Sequence, residues 1–508
     1  MKRLFYTLLF FLPCMLIACG GSDDTPDGDN NPPVVAPPSE EPVDSRLLYN
    51  GIRLPEQWPP VRSSSSELEK GMSPFYLSDK PSVINISVGR QLFVDNFLIE
   101  STNLKRTFYY PEYYSGNPIL TPEQDWEKTG TKGAAFAAPF SDGVWYDEKE
   151  GKYKMWYMAG GGSYATSGAG VTCYAESTDG IHWTKPTLSI VAGTNIVDYN
   201  SERDASVIWL DKQESNASKR YKMFLVARES GKWRYHYKTS PDGKVWRAAV
   251  QSEPIADRST VYKNPFRNVW VYSMRHNVRV DANKLVRARD YNENTDPEAG
   301  TKKAEALLSA FWFGPWANEQ HHTDYPNIAP AIYNQDATPY ESIMLGFFSV
   351  WQGPENDVCA SDNVIKRNQV MVGYSRDGYS WFREDMNPFH AVNTTTSDAW
   401  NQGNLQSVAG APLIVGDKLY FYLSGRRLRG TQEITTTGLA MLRRDGFASM
   451  KGTGELQTSL LKFDGSYFFV NANVTGEMKV ELLDPNNKVI EGCLLYTSPS
   501  PRDGLLSR

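Results

Sequence analysis

The chain is poor in cysteine. Five occur in 508 residues, and Cys14, Cys19 and Cys493 lie in terminal segments set apart below, which leaves Cys173 and Cys359 for the body. Those two fall in different predicted repeats. There is no disulfide framework and no zinc-type spacing, so a small stapled scaffold is excluded and no metal site is expected. An excess of positive charge is also missing. The formal net charge is −6, and a mildly acidic chain gives no reason to expect a nucleic-acid partner. Past the first 17 residues no apolar run is long enough to cross a bilayer. No cofactor is expected either. Aromatic residues, by contrast, make up 13% of the chain. Most of them suit packing between β units, and a minority would face a ligand.

The two ends read as segments apart from the fold. Lys2 and Arg3 precede an apolar run from Leu4 to Ile17, then Leu16-Ile17-Ala18-Cys19 and a polar Gly20-Gly21-Ser22-Asp23-Asp24. A charged start, a short apolar core and a small residue before the break describe a secretory signal. Leu-x-Ala-Cys resembles the bacterial lipobox, which implies a signal peptide over 1–19, lipidation at Cys19 and a membrane partner reached through that anchor. The acidic tether resembles that of surface-exposed lipoproteins of the Bacteroidetes type. The expected location is therefore the outer membrane, facing the periplasm or the cell surface. Residues 20–45, rich in Asp, Asn, Pro and Glu, read as a disordered spacer, and 46–85 as an N-terminal extension. At the other end, Cys493-Leu-Leu-Tyr-Thr-Ser-Pro-Ser-Pro-Arg-Asp503 resembles a translated sequencing adapter, so 493–508 is set aside like a fusion scar.

Between the ends one phrase recurs: Ser177-Thr-Asp179-Gly180-Ile-His-Trp183, Ser240-Pro-Asp242-Gly243-Lys-Val-Trp246 and Ser375-Arg-Asp377-Gly378-Tyr-Ser-Trp381, with a worn copy at Arg444-Asp445-Gly446-Phe447. The aspartates lie 63, 135 and 68 residues apart, so one copy has decayed inside the doubled gap. Fixed-period self-similarity with a turn pair and an aromatic predicts an all-β fold, a five-bladed β-propeller over 86–450. Asp-Gly would make the turn and Trp would plug the gap between blades. Alternating strand patterns recur in each unit, for example Gly143-Val-Trp-Tyr146 with Tyr153-Lys-Met-Trp-Tyr157, and Ser407-Val-Ala409 with Lys418-Leu-Tyr-Phe-Tyr422. The third unit carries a predicted insert over roughly 276–325. Residues 451–492 alternate again and predict the start of an appended, truncated β-sandwich.

In a propeller the innermost strands begin around a central funnel. Polar residues recur at those beginnings: Asp142, Arg203-Asp204, Asp257-Arg258, His321-His322 with Asp324, and Asn404 with Gln406. One would be an ordinary strand cap. The set predicts a funnel lined to bind something polar. The body resembles the five-bladed propeller glycoside hydrolases of families 32 and 43 and their relatives. Arg203-Asp204-Ala205 is similar to their Arg-Asp-Pro motif, and Asn117-Pro-Ile-Leu120 with Trp126-Glu127 to their opening segment. The family 32 nucleophile motif is absent, only Asp142-Gly143 lying near its place, and Asp257 stands where its Glu-Cys acid would be. The resemblance is thus to a divergent relative and does not support a sucrose- or fructan-type substrate.

Glycoside hydrolysis needs two carboxyls across the scissile bond, one donating a proton and one acting as nucleophile or base. Asp204 beside a cation suits the base or stabiliser. Glu341, within an apolar strand, is the candidate acid if desolvated, or else a surface residue of an outer strand. Asp257 completes the catalytic set, with Asp142, Arg203, Arg258, His322, Asp324, Trp400, Asn404 and Gln406 as substrate contacts; Trp400 would stack on a sugar or pack its blade. The expected activity is hydrolysis of a plant or algal polysaccharide or oligosaccharide. A non-catalytic carbohydrate-binding lipoprotein on the same scaffold is the alternative. The recurring phrase also resembles the sialidase Asp box, but lacks the residue between Asp and Gly.

Overall fold

A computed structural model describes residues 7–11, 44–68, 70–128, 130, 133–165, 170–199, 201–280, 284–396, 398–465 and 469–496. The fold is all-β with a few short helices. The strands follow one another as antiparallel meanders. In the first, Ala135–Ala138 and Val144–Asp147 form one interrupted inner strand against Lys152–Ala159, followed by Val171–Ser177 and Ile196–Asp198. The second runs Glu202–Leu210, Tyr221–Glu229, Lys232–Ser240 and Arg247–Gln251. Thr260–Asn264, Val269–Arg279, Leu285–Asn294 and Ala310–Phe313 make the third. The fourth has Ala331–Tyr340, Ile343–Gly353 and Arg367–Ser375, and the last has Asn404–Val408, Lys418–Arg429 and Gln432–Arg443. Glu112–Tyr113, from before the first meander, supplies the outer edge of the last.

The inner strands are tied into a ring. Ile208 N–H donates to the Asp142 carbonyl at 2.5 Å, and Arg258 N–H to Asp204 Oδ2 at 2.9 Å. Thr260 Oγ1 donates to the Gln335 carbonyl. Val408 N–H donates to Asp336 Oδ2 at 3.2 Å, and Ser141 Oγ to Ser407 Oγ at 3.2 Å. Each bond joins one meander to the next, and the last returns to the first. Trp156, Trp270, Trp312 and Trp381 are fully buried in the packing behind this ring, where large rings contribute most of the apolar contact.

The recurring phrase proves to be a clasp between meanders. Within each copy the serine Oγ accepts from the glycine N–H, at 2.9, 2.8 and 2.8 Å for Ser177, Ser240 and Ser375. The aspartate Oδ1 accepts from the two N–H groups beyond the glycine. The glycines take φ of +74°, +78° and +75°, which favours a residue without Cβ. Their carbonyls then accept from an aromatic of the preceding unit: Tyr422 Oη at 2.8 Å, Trp156 Nε1 at 2.6 Å and Tyr262 Oη at 3.2 Å. In the worn copy Tyr340 Oη donates to Asp445 Oδ1 at 2.6 Å.

Residues 276–279 and 285–294 are not an insert. They complete two strands of the third meander, and Asp296 then caps the helix Pro297–Lys303 in place of the missing turn phrase, its carboxylate accepting from Ala299 N–H at 2.6 Å. The C-terminal segment, expected as the start of a truncated sandwich, shares one sheet with strands from earlier in the chain. Glu455–Thr458 pairs with Ile99–Thr102, and Lys479–Leu483 with Val489–Tyr496, in one sheet that also takes in Thr7–Phe11 between them. Thr7–Phe11 belongs to the expected leader, so its removal would undo two of those pairings. Cys19, most of the 20–45 spacer and residues 497–508 lie outside the described residues, while the strand Val489–Tyr496 runs on through 493–496. The extension is anchored to the ring by Asn50, whose Nδ2 donates to the Arg376 carbonyl at 3.0 Å, and Asp95, just beyond the extension, pairs with buried Arg376 at 2.8 Å. Among the described residues no helix is long and apolar enough to cross a membrane.

Candidate functional site

The mouth of the ring gathers the heads of successive inner strands. Asp204 begins the second. It accepts from the backbone N–H of Arg258 at 2.9 Å, and its Oδ1 pairs with the Arg258 guanidinium at 2.9 Å. Arg258 precedes the third strand with φ +54°, an unusual conformation for a residue with a Cβ. The hydrogen bond and the ion pair with Asp204 together hold it there. Its guanidinium lies 5.7 Å from the ring centres of both Phe140 and Tyr333. Asp257, one residue earlier, pairs instead with Arg275. Both carboxylates keep some exposure, 14% for Asp204 and 24% for Asp257.

Tyr333, legible in sequence only as a strand residue, stands at the centre of this cluster. Arg287 lies 4.7 Å and Lys366 5.6 Å from its ring centre, besides Arg258. Burial raises its hydroxyl, but the three cations outweigh burial and draw it down to about 8. At the head of the last inner strand Gln406 is buried, with Oε1 accepting from Arg426 at 3.5 Å and Nε2 without a protein partner. Asn404 donates to the Lys366 carbonyl at 3.1 Å and leaves its own oxygen unpaired. Both amide atoms of buried Asn368 lack partners. Buried polar groups are almost always satisfied, so this wall is shaped for water or a ligand.

Several expected contacts sit elsewhere. Glu341 is the turn between Ala331–Tyr340 and Ile343–Gly353, at the far end of the strand from Tyr333, with φ +51°. There it accepts from Arg90 N–H at 2.9 Å and pairs with the Arg90 guanidinium at 2.7 Å, so it binds the segment ahead of the first meander and not the funnel. Trp400 packs its meander: it fills the space above Gly425 and Gly438, and Tyr113 meets it edge-on at 5.6 Å. Asp142 is fully buried beneath the mouth. Burial raises its carboxyl, and Arg203, paired at 2.8 Å, opposes that. Arg203 also donates to Thr172 Oγ1 at 2.6 Å, so the pair joins two meanders. His322 lies on the loop into the fourth meander, its Nδ1 accepting from Asp324 N–H at 3.0 Å and its ring edge-on to Tyr325. Burial, then Arg367, lowers it. The Asp324 side chain is 75% exposed.

Asp336 was also illegible in the sequence. It is buried on the wall of the channel below Tyr333, accepting from Val408 N–H and from Asn334 Nδ2, both at 3.2 Å. Burial pushes its carboxyl up to about 7, against Ser141, the Val408 N–H and Arg289. It lines, with Ser141, Trp145, Val261 and Gly410, a cavity of roughly water-molecule size. Among the described residues no group of three or more His, Cys, Asp or Glu is placed to hold a metal ion.

No protein-family model and no curated protein matches the chain. Among solved structures it is similar to a glycoside hydrolase at 13% identity, over 66% of this chain and 92% of that one, with a TM-score of 0.41. It is similar to a putative glycoside hydrolase from Parabacteroides distasonis at 14%, over 66% and 97%, with a TM-score of 0.37. An N-acetylgalactosamine deacetylase from F. plautii matches at 12%, over 64% and 96%, with a TM-score of 0.39. Likeness this distant assigns no chemistry to the chain.

Proposed function

We propose that the chain is a glycoside hydrolase acting on a plant or algal polysaccharide or oligosaccharide, each meander serving as one of five blades. One observation supports it above the others: Asp204 and Asp257, from the heads of adjacent inner strands, meet around Arg258 and Arg275 in a mouth lined with unsatisfied polar groups. Asp204, gripped twice by Arg258, serves as base or transition-state stabiliser, and Asp257 as its partner across the bond. Asp204→Asn should lower turnover roughly a hundredfold or more on whichever glycan of a polysaccharide panel is cleaved, with the fold retained by circular dichroism. Full activity in that variant would remove the residue from the mechanism.

A second reading, a carbohydrate-binding protein without turnover, draws on the arginine partner held by each of Asp142, Asp204 and Asp257. Glycan binding by calorimetry with no product from any panel member would select it. In either case we place the protein at the outer membrane through Cys19. Cys19→Ser should move it from the membrane fraction to the soluble one.

A further inference from the structure

Five cationic side chains crowd the mouth: Arg258, Arg275, Arg287, Lys366 and Arg426. Three carboxylates answer them, Asp204 on Arg258, Asp257 on Arg275 and Glu433 on Arg426 at 2.9 Å. Arg287 and Lys366 have no carboxylate within ion-pair distance among the described residues. Both lie against the Tyr333 ring, and Arg287 Nη1 is buried without a hydrogen-bond partner. Leaving a buried cationic donor such as Arg287 Nη1 unanswered is costly, and a bound anion, reached also by part-exposed Lys366, is what would offset it.

The groups beside them narrow the ligand. Asn404 Oδ1 and Asn368 Oδ1 are unpartnered acceptors. A fully deprotonated inorganic anion such as sulfate has no donor for these acceptors, whereas a sugar brings several hydroxyl donors together with any charge it carries. We propose that the mouth takes a saccharide bearing an oxyanion, a uronate carboxylate or a sulfate ester, with Arg287 and Lys366 holding the charge and the Asn404–Asn368 wall holding hydroxyls. This rests on the carbohydrate reading above and names the substrate class within it.

The test is calorimetric titration of the full chain with a polyuronide, its carboxyl-reduced form, a sulfated galactan, its desulfated form, and inorganic phosphate alone. One acidic glycan should bind at least tenfold more tightly than its neutral counterpart, with a preference that weakens as salt rises. Arg287→Gln and Lys366→Gln should each bring the pair to within about twofold at an unchanged melting temperature, and Lys366→Arg should retain most of the preference. Equal binding of charged and neutral forms would overturn the oxyanion assignment and leave the carbohydrate reading standing. Phosphate that binds through Arg287 without any preference among glycans would overturn it in favour of a free anion. No binding of any glycan would overturn both.

Discussion

Tyr333 and Asp336 lie three residues apart on one inner strand and are shifted in opposite senses. The phenol is drawn down to about 8 by Arg258, Lys366 and Arg287 acting against burial, and the carboxyl is pushed up to about 7 by burial. Absorbance titration should therefore show one tyrosine ionising near pH 8, and Arg258→Met should move that step upward. Asp336 has a consequence for stability. The folded chain keeps its proton to about pH 7, while the unfolded chain loses it near the ordinary 3.8. The folded state thus binds more protons between those values, and this group's contribution to stability falls as pH rises from about 4 to 7, then levels. Asp336→Asn should be more stable than the parent at pH 8, by roughly 1–4 kcal/mol, and nearly equal to it at pH 4 in thermal unfolding.

At the scale of strands and turns, the Ser-x-Asp-Gly phrase was the most legible part of the chain, because its geometry is local. The serine and aspartate satisfy N–H groups within four residues, so the pattern survives in sequence. Its docking partners were not legible: Tyr422, Trp156 and Tyr262 lie far away along the chain and carry no shared signature. Local pattern also explains the misreading of the third meander. There Asn294-Thr-Asp296-Pro297 uses its aspartate to cap a helix, which keeps one residue of the phrase and changes the turn. A Cβ on Gly243 would lie 2.3 Å from the Trp156 ring and would sit on a backbone at φ +78°. Gly243→Ala should therefore destabilise by roughly 1–3 kcal/mol in denaturant unfolding, more than an alanine placed at exposed Gly231.

For the molecule as a whole, the phase of the inner strands was readable and led to Asp204, Asp257 and Arg258. Depth along a strand was not. Glu341 sits in an alternating apolar stretch like a funnel residue, yet ten residues of strand carry it to the opposite end, where Arg90 awaits it. Tyr333 was lost for a related reason: the cations around it come from strands and loops that only the ring brings together. Ring closure also relies on a side chain acting as backbone. Asn117 Nδ2 donates to the Leu439 carbonyl and its Oδ1 accepts from Leu439 N–H, both at 2.8 Å, while Leu120 bridges Thr437. Asn117→Ala should cost about 1–3 kcal/mol and raise amide exchange along Gln432–Arg443 before any other strand of the ring.

That seam sets an order of events during synthesis. The segment 112–120 leaves the ribosome more than three hundred residues ahead of the strand it must join. Until Gln432–Arg443 arrives, the first meander has an open flank and the early segment has an unmet edge. The final pairing is therefore the most non-local in the ring, a slow step that exposes strand edges to other chains. A nascent chain stalled just short of Gln432 would hold most of its strands and lack this last pairing. Were the chain exported as proposed above, such a late seam would keep it open, and threadable, for as long as possible.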